Sequence, residues 1–394
     1  MNVVKTVLAV ALTPLICAQA SEDIQSEPAS KPGGPEVRVT LGVATADNVF
    51  ELGRSGLVRL IERDPCNLNN GRLTGMVSAN DRIQTTKIAL DQKLDDVLGR
   101  KVTLSGGLVH HEYQENSAAS YFEGDFSLTR KLGEQGRFRL GAELTGDRFR
   151  RNYLADVEDV NGNGNIPCRE RQYAAGTYDE KEWSIGYRHR LTLVSGQESS
   201  SKRNLDIHVS GGVLERHYNQ PHQNRDREGW FGEVRFEAEL TPEINIETAW
   251  RRDTIDSPGA NEVVLVDETL DGDVNGDRDV ERNAPLVTLV DRSRARDTIS
   301  IGVRLNILED WRVILSYRHQ ASDFRSDNPL DIDHFGVDET EQRVSASVRW
   351  RFARRWFATL SWRQTDGEDI DNLGRDQTDT EAERISINLR RRLR

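Results

Sequence analysis

The chain has 394 residues, of which 30% are charged, and its formal net charge at pH 7 is −12. The acidic balance argues against a nucleic-acid partner, because binding to phosphates requires clustered Lys and Arg. The mean hydropathy of −0.65 and the absence of a long apolar run after the first twenty residues argue against membrane-spanning helices. Neither observation excludes crossing by strands, in which only alternate residues face lipid.

The first residues have the pattern of a secretory signal peptide. Lys5 supplies a short positive region, residues 7–16 form an apolar run, and Ala18-Gln19-Ala20 matches a small-residue cleavage site. The run is too short to anchor the chain across a bilayer. We therefore expect a signal peptide over 1–20. A flexible periplasmic lead-in over 21–35, rich in Ser, Glu, Pro and Gly, is expected to follow it.

From residue 36 onward, apolar and polar residues alternate in segment after segment. Residues 137–144, for example, read Arg-Phe-Arg-Leu-Gly-Ala-Glu-Leu, which is the period-two pattern of a strand with one apolar face. The segments are about 9 to 12 residues long, enough to cross a bilayer at the usual tilt. Fourteen strands are predicted: 37–46, 82–94, 100–113, 118–132, 136–148, 179–193, 203–216, 229–240, 243–253, 296–307, 310–320, 340–352, 355–365 and 382–393.

The connections between these strands alternate in length. Short ones fall near 95–99, 133–135, 194–202, 241–242, 308–309 and 353–354, and long ones near 47–81, 149–178, 217–228, 254–295, 321–339 and 366–381; the brief link at 114–117 is the exception. Brief periplasmic turns and long outer loops are typical of up-and-down transmembrane barrels. The prediction is one all-β domain over 36–394, an antiparallel transmembrane β-barrel of about fourteen strands. The even strand number places both termini in the periplasm.

The seven tryptophans support this interpretation, because each lies on the apolar register near one end of a segment. Trp311, Trp350 and Trp356 flank short turns, whereas Trp183, Trp230, Trp250 and Trp362 lie toward long loops. Indole rings favour the boundary between hydrocarbon and water. We expect two aromatic girdles, one at each membrane surface. A soluble β-helix or large sandwich would not predict this agreement between the tryptophan positions and the lengths of the connections.

Two cysteines outside the signal peptide, Cys66 and Cys168, fall in long polar loops. In an oxidising envelope they are expected to form a disulfide. Two independent thiols are the alternative.

Two outer loops have the spacing of calcium ligands. The first has oxygen donors at positions 1, 3, 5 and 12 and Gly at position 6, as in a twelve-residue calcium loop. Its ligands would be the side chains of Asp159, Asn161, Asn163 and Glu170 and the carbonyl of Asn165. The second carries Asp271, Asp273, Asn275, Asp277 and Asp279, but Arg occupies positions 8 and 12. Calcium would stiffen these loops; the alternative is a pair of solvated Asp/Asn/Gly turns.

The register opposite to the apolar one is strongly charged, and the signs are segregated. The eighth and ninth predicted strands carry Glu233, Arg235, Glu237, Glu239, Glu247 and Arg251; the last five carry Arg304, Arg312, Arg318, Arg343, Arg349, Arg351, Arg363, Arg384 and Arg390. These side chains are predicted to line a narrow pore with a transverse field, which orients charged solutes and rejects apolar ones. The alternative is a salt-bridge lattice that fills the barrel.

A catalytic reading is weaker. Asp206, His208 and Ser210 share one face of a strand, but adjacent positions on that face are about 7 Å apart, too far for the direct hydrogen bonds of a triad. We expect a protein that is not an enzyme.

With these features the chain resembles Gram-negative outer-membrane β-barrels over about 37–394. The resemblance implies a location in the outer membrane and contact with its lipid. Fourteen-stranded members include monomeric channels, transporters of hydrophobic solutes and barrels that place lipoproteins on the surface, and no motif here selects among them. The expected function is a porin-like channel for small polar or charged solutes. The alternative is a plugged structural barrel whose calcium-stiffened loops bind a surface partner.

Overall fold

A computed structural model describes residues 34–47, 80–97, 100–157, 171–194, 202–257, 259–266, 284–328, 331, 334–370 and 376–393. The predicted signal peptide and most of the predicted lead-in lie outside these ranges. Within them, no helix is both long enough and apolar enough to cross a membrane.

Fourteen antiparallel strands close into one barrel, which confirms the predicted fold and strand number. In order around the wall the strands are β1, β16, β15, β14, β13, β12, β9, β8, β7, β6, β5, β4, β3 and β2, and β2 returns to β1. Their bounds are β1 Glu36–Ala46, β2 Asp81–Val97, β3 Arg100–Tyr113, β4 Tyr121–Leu132, β5 Gly136–Val157, β6 Arg171–Val194, β7 Lys202–Tyr218, β8 Arg227–Glu239, β9 Ile244–Asp256, β12 Arg294–Leu308, β13 Trp311–Phe324, β14 Asp338–Ala353, β15 Trp356–Ile370 and β16 Asp376–Leu393. Because a closed sheet has no free edge, its backbone groups pair without water.

Two strands lie outside the barrel. β10 (Ala260–Val266) and β11 (Ala284–Val290) form a separate antiparallel hairpin inside the connection predicted as the loop 254–295. Both segments are rich in Val and Leu, which favour extended backbone. At seven residues each and with weak alternation, these segments lack the sequence pattern of a membrane-crossing strand.

Several barrel strands run beyond their predicted ends. β5 and β6 continue to pair past Arg148 and Tyr178 as far as Val157 and Arg171, within the predicted loop 149–178. β15 and β16 likewise extend into the predicted loop 366–381. The membrane thickness sets where alternation of apolar residues stops, but strand pairing continues in water without it.

The register separates two faces of the sheet. Large apolar side chains on the outer face are exposed, as at Leu41 (56%), Ile185 (53%) and Leu360 (51%), although they belong to the most hydrophobic positions of their strands. Paired residues on neighbouring strands share a face, and the neighbours along each strand point inward. An exposed apolar band around a closed sheet is the surface that a bilayer covers.

All seven tryptophans lie on this outer register. Trp311 pairs directly with Trp350, their rings stacked with centroids 5.4 Å apart, and Phe352 continues the row to Trp356. This row lies beside the short turns. Trp183, by contrast, lies on a lateral row with Val213 and Trp230 toward the long connections.

Candidate functional site: the inner face of the barrel

The structure places the predicted pore-lining residues on the inner register. Each of them alternates with an outward residue, as Arg251 does with Trp250 and Arg349 with Trp350. The set on this face comprises Glu233, Arg235, Glu237, Glu239, Glu247, Arg251, Arg304, Arg312, Arg318, Arg343, Arg349, Arg351, Arg363 and Arg384. The inside of the barrel is therefore a charged surface.

A chain of opposite charges runs along the wall from β6 to β12. Asp206, which is 4% exposed, accepts hydrogen bonds from Arg190 (2.9 Å) and from Arg188. Glu237 then lies between two arginines, 3.9 Å from Arg188 and 3.6 Å from Arg304. Alternating signs allow each charge to be desolvated next to a partner.

Arg235 on β8 belongs to the same wall. Its guanidinium binds Glu233 at 2.9 Å and Glu247 on β9 at 3.3 Å. Glu239, at the short-turn end of β8, accepts a hydrogen bond from the Asn204 amide at 3.1 Å. The predicted acidic strands thus use their carboxylates mainly to bind arginines on the same side of the barrel.

A recess of ≈ 90 Å³, open to solvent, lies on the long-loop side of this wall, and its lining includes Glu182, Arg251 and Arg296. The Arg251 guanidinium contacts Glu182 and Asp253 at 2.8 Å each and stacks over the Phe231 ring with its carbon 3.9 Å from the centroid. Gly212, the strand partner of Phe231, makes room for the ring, since a Cβ there would lie 2.6 Å from a ring carbon.

The wall formed by β13–β16 has a different character. Arg312 donates to the Asn306 side-chain oxygen at 2.9 Å, and Arg318 donates to Gln320 at 3.0 Å. Their partners are neutral amides, so the charges of Arg312 and Arg318 are not balanced by these contacts.

Three further arginines of this wall have identified contacts. Arg343 binds Glu341 at 3.0 Å, and Arg351 binds Asp310 of the adjacent short turn at 2.5 Å. Arg349 stacks on the Phe357 ring, its guanidinium carbon 4.9 Å from the centroid. Positive charge therefore dominates the membrane-embedded part of this wall.

Sequence reasoning missed several inward residues. Phe231 and Phe357 lie inside the barrel, and Glu182 and Asp253 complete the surroundings of Arg251. The signal was available for Phe357, since it lies between Trp356 and Ala358 and therefore off the apolar register.

The predicted disulfide and calcium sites fall in the long loops. Cys66, Cys168, the first calcium loop (159–170) and the second (271–279) lie outside the described residues. Among the residues that the structure does describe, no group of three or more His, Cys, Asp or Glu is arranged to hold a metal ion.

The three residues considered for catalysis do not form a triad. The Asp206 carboxylate is bound by Arg188 and Arg190, and the His208 Nε2 atom has no hydrogen-bond partner in the described part of the chain. A histidine base requires a carboxylate that orients it, which Asp206 does not provide here.

Comparison with known proteins gives matches only among structures. No protein-family model matches the sequence, and no curated protein matches it. The fold is similar to the outer membrane channel DcaP of Acinetobacter baumannii (11% identity, 92% of this chain, 97% of that chain, TM-score 0.42). It is also similar to an anion-selective porin from Comamonas acidovorans (9%, 92%, 99%, 0.40) and to the outer membrane protein OmpT of Vibrio cholerae (11%, 95%, 100%, 0.39).

The class of this protein follows from its own geometry. A closed fourteen-stranded antiparallel sheet, an exposed apolar outer face and a row of indoles beside the short turns occur together. The chain is an outer-membrane β-barrel, with lipid on its outer face and charged groups on its inner face.

Proposed function

We propose that the protein is a channel for the passive diffusion of small polar or charged solutes across the outer membrane. Fourteen strands enclose more space than the eight-stranded barrels whose interiors side chains fill, and less than a sixteen-stranded porin. Whether such a barrel conducts depends on where its inward side chains are held.

One observation carries the proposal: the inner ion pairs run around the wall. Of the pairs described above, the widest joins Arg251 on β9 to Glu182 on β6, three places apart in the strand order. A pair that crossed the barrel would join strands seven places apart. Charges paired sideways lie against the sheet, and this arrangement favours an open centre over a salt-bridge plug.

The distribution of charge supports polar and charged solutes. The basic wall of β13–β16 lies across the barrel from β4–β7, where inward carboxylates such as Glu143 and Glu182 are accompanied by inward arginines such as Arg139 and Arg188. A basic wall that faces a wall of mixed charge creates a transverse field within a low-dielectric surround. Such a field favours solutes with charge or a large dipole and disfavours apolar ones.

Single-channel recording of the full chain in planar bilayers tests the proposal. We expect discrete conductance steps, and we expect Arg349→Glu to shift the reversal potential in a KCl gradient toward cation selectivity. Arg252→Glu is the matched control, because this arginine lies on the outer face beside Asp297. Absence of steps from correctly folded protein would support the plugged, surface-interacting barrel instead.

A further inference from the structure

The basic wall places arginines directly opposite arginines. On the inner face, Arg312 pairs with Arg349 and Arg318 with Arg343 between β13 and β14, and Arg363 pairs with Arg384 between β15 and β16. Like charges in directly opposed positions destabilise a strand pair. Between β13 and β14 two such pairs lie one above the other, and the Glu341 carboxylate, 3.0 Å from Arg343, balances one of their four charges.

At the short-turn end, the arginines are arranged around an aromatic ring. We define the lower cluster as Arg312, Arg349, Arg390 and Phe357. The guanidinium carbons of Arg349 and Arg390 lie 4.9 and 4.6 Å from the centroid of the Phe357 ring. Stacking occupies the flat face of a guanidinium and leaves the N–H groups at its edge free to donate.

The N–H groups at the edges of these two guanidinium groups have no hydrogen-bond acceptor among the described residues. Neither Arg349 nor Arg390 has a hydrogen bond or ion pair with another described residue, and the partner of Arg312 is a neutral amide. Three guanidinium groups, two of them held in place by one ring, thus present unused donors to the interior.

The upper pair consists of Arg318 and Arg343, which donate to Gln320 and Glu341 at 3.0 Å each. Two guanidinium groups side by side repel each other, and an oxyanion bound by their remaining N–H groups would offset that repulsion. The two levels are six residues apart on β13, which corresponds to about 20 Å along the strand.

We infer that this wall binds oxyanions, the carboxylate or phosphate groups of small solutes, at the lower cluster and at the upper pair. Guanidinium forks match the geometry of carboxylate and phosphate oxygens and bind them through two parallel hydrogen bonds. The inference rests on the proposed function, because solutes reach the wall only through the lumen. The proposed solutes are therefore small anions, which would move between the lower cluster and the upper pair.

The test uses inorganic phosphate and the purified full chain in detergent, with chloride at matched ionic strength as the reference. We expect phosphate to raise the thermal unfolding temperature with a saturable concentration dependence. In the double variant Arg312→Gln/Arg349→Gln, the phosphate concentration for half the effect should rise at least about tenfold. Arg252→Gln, on the outer face, should leave it unchanged.

The stability of the same double variant in chloride alone is the second measurement. Removal of a like-charge pair should leave the barrel as stable as the unaltered chain or more stable, and this also shows that the variant folds. A purely structural role for Arg312 and Arg349 predicts a loss of stability in both salts. Loss in both salts, or an equal phosphate effect in all variants, would overturn the inference.

Bilayer recording separates this inference from the proposed function. Chloride current that phosphate inhibits in the unaltered chain, with at least about tenfold weaker inhibition in the double variant, supports both. A conducting barrel that neither binds phosphate nor is inhibited by it contradicts the inference alone. A barrel that binds phosphate but never conducts supports the site and contradicts the channel.

Discussion

Asp253 on β9 is a buried carboxylate that joins two arginines on the long-loop side of the inner wall. It is 0% exposed, and its two carboxylate oxygens bind Arg251 at 2.8 Å and Arg296 at 3.1 Å. A carboxylate this deeply buried is tolerated only because two guanidinium groups replace its water. Arg251 then projects over Phe231 toward Glu182.

Asp253→Asn should therefore destabilise the barrel by on the order of 3 kcal/mol, because Arg251 and Arg296 lose their shared counter-ion, which is itself fully buried. Urea unfolding in detergent or lipid vesicles measures the change. The matched control is Asp297→Asn, whose carboxylate binds Arg252 at 3.2 Å on the exposed outer face and should cost less than about 1 kcal/mol. Equal costs for the two variants would show that burial does not strengthen the Asp253 contacts.

At the scale of the element, the alternation of residue types predicts the strands well wherever a membrane imposes it. The fourteen barrel strands all occur near their predicted positions, since a bilayer requires apolar residues at every second place. The strand extensions beyond Arg148 and Tyr178 and the hairpin of β10 and β11 were missed because outside the membrane pairing places no such demand on sequence.

The inner face was predictable in part. The period of two assigns Arg349 and Glu237 to the interior, but the sequence does not show which charges meet. Arg188 and Arg304 both approach Glu237 because β6 and β12 lie two places from β8 on either side in the closed barrel. Such contacts depend on strand order and stagger, which alternation alone does not encode.

The row of indoles at the short-turn end gives a prediction for β13 and β14. Trp350 stacks on Trp311 at 5.4 Å and lies 5.4 Å from the Phe352 ring, so Trp350→Ala removes two aromatic contacts at once. We expect a loss of about 1–2 kcal/mol in lipid vesicles. Trp350→Phe should recover most of it, and a Phe variant as unstable as the Ala variant would show that stacking is not the cause.

For the molecule as a whole, the decisive property is that the outer face of the sheet contacts lipid whereas the inner face of the same sheet contacts water. β15 shows this within two residues. Leu360 is 51% exposed on the outer face, whereas Ser361 points inward and pairs with Ser347 and Ser386. The same substitution at these two positions therefore meets two different solvents, at nearly the same depth in the membrane.

Leu360→Arg should cost about 2–4 kcal/mol of folding free energy in phospholipid vesicles, since it places a charge in the apolar band of the outer face. Ser361→Arg places the same side chain on the inner surface, where the guanidinium stays hydrated and its direct strand partners are the neutral Ser347 and Ser386, so its cost should be under about 1 kcal/mol. Titration of the vesicle-folded protein with guanidinium chloride measures both changes in folding free energy. Equal costs for the two substitutions would mean that lipid does not cover the outer face, and this would contradict a transmembrane channel.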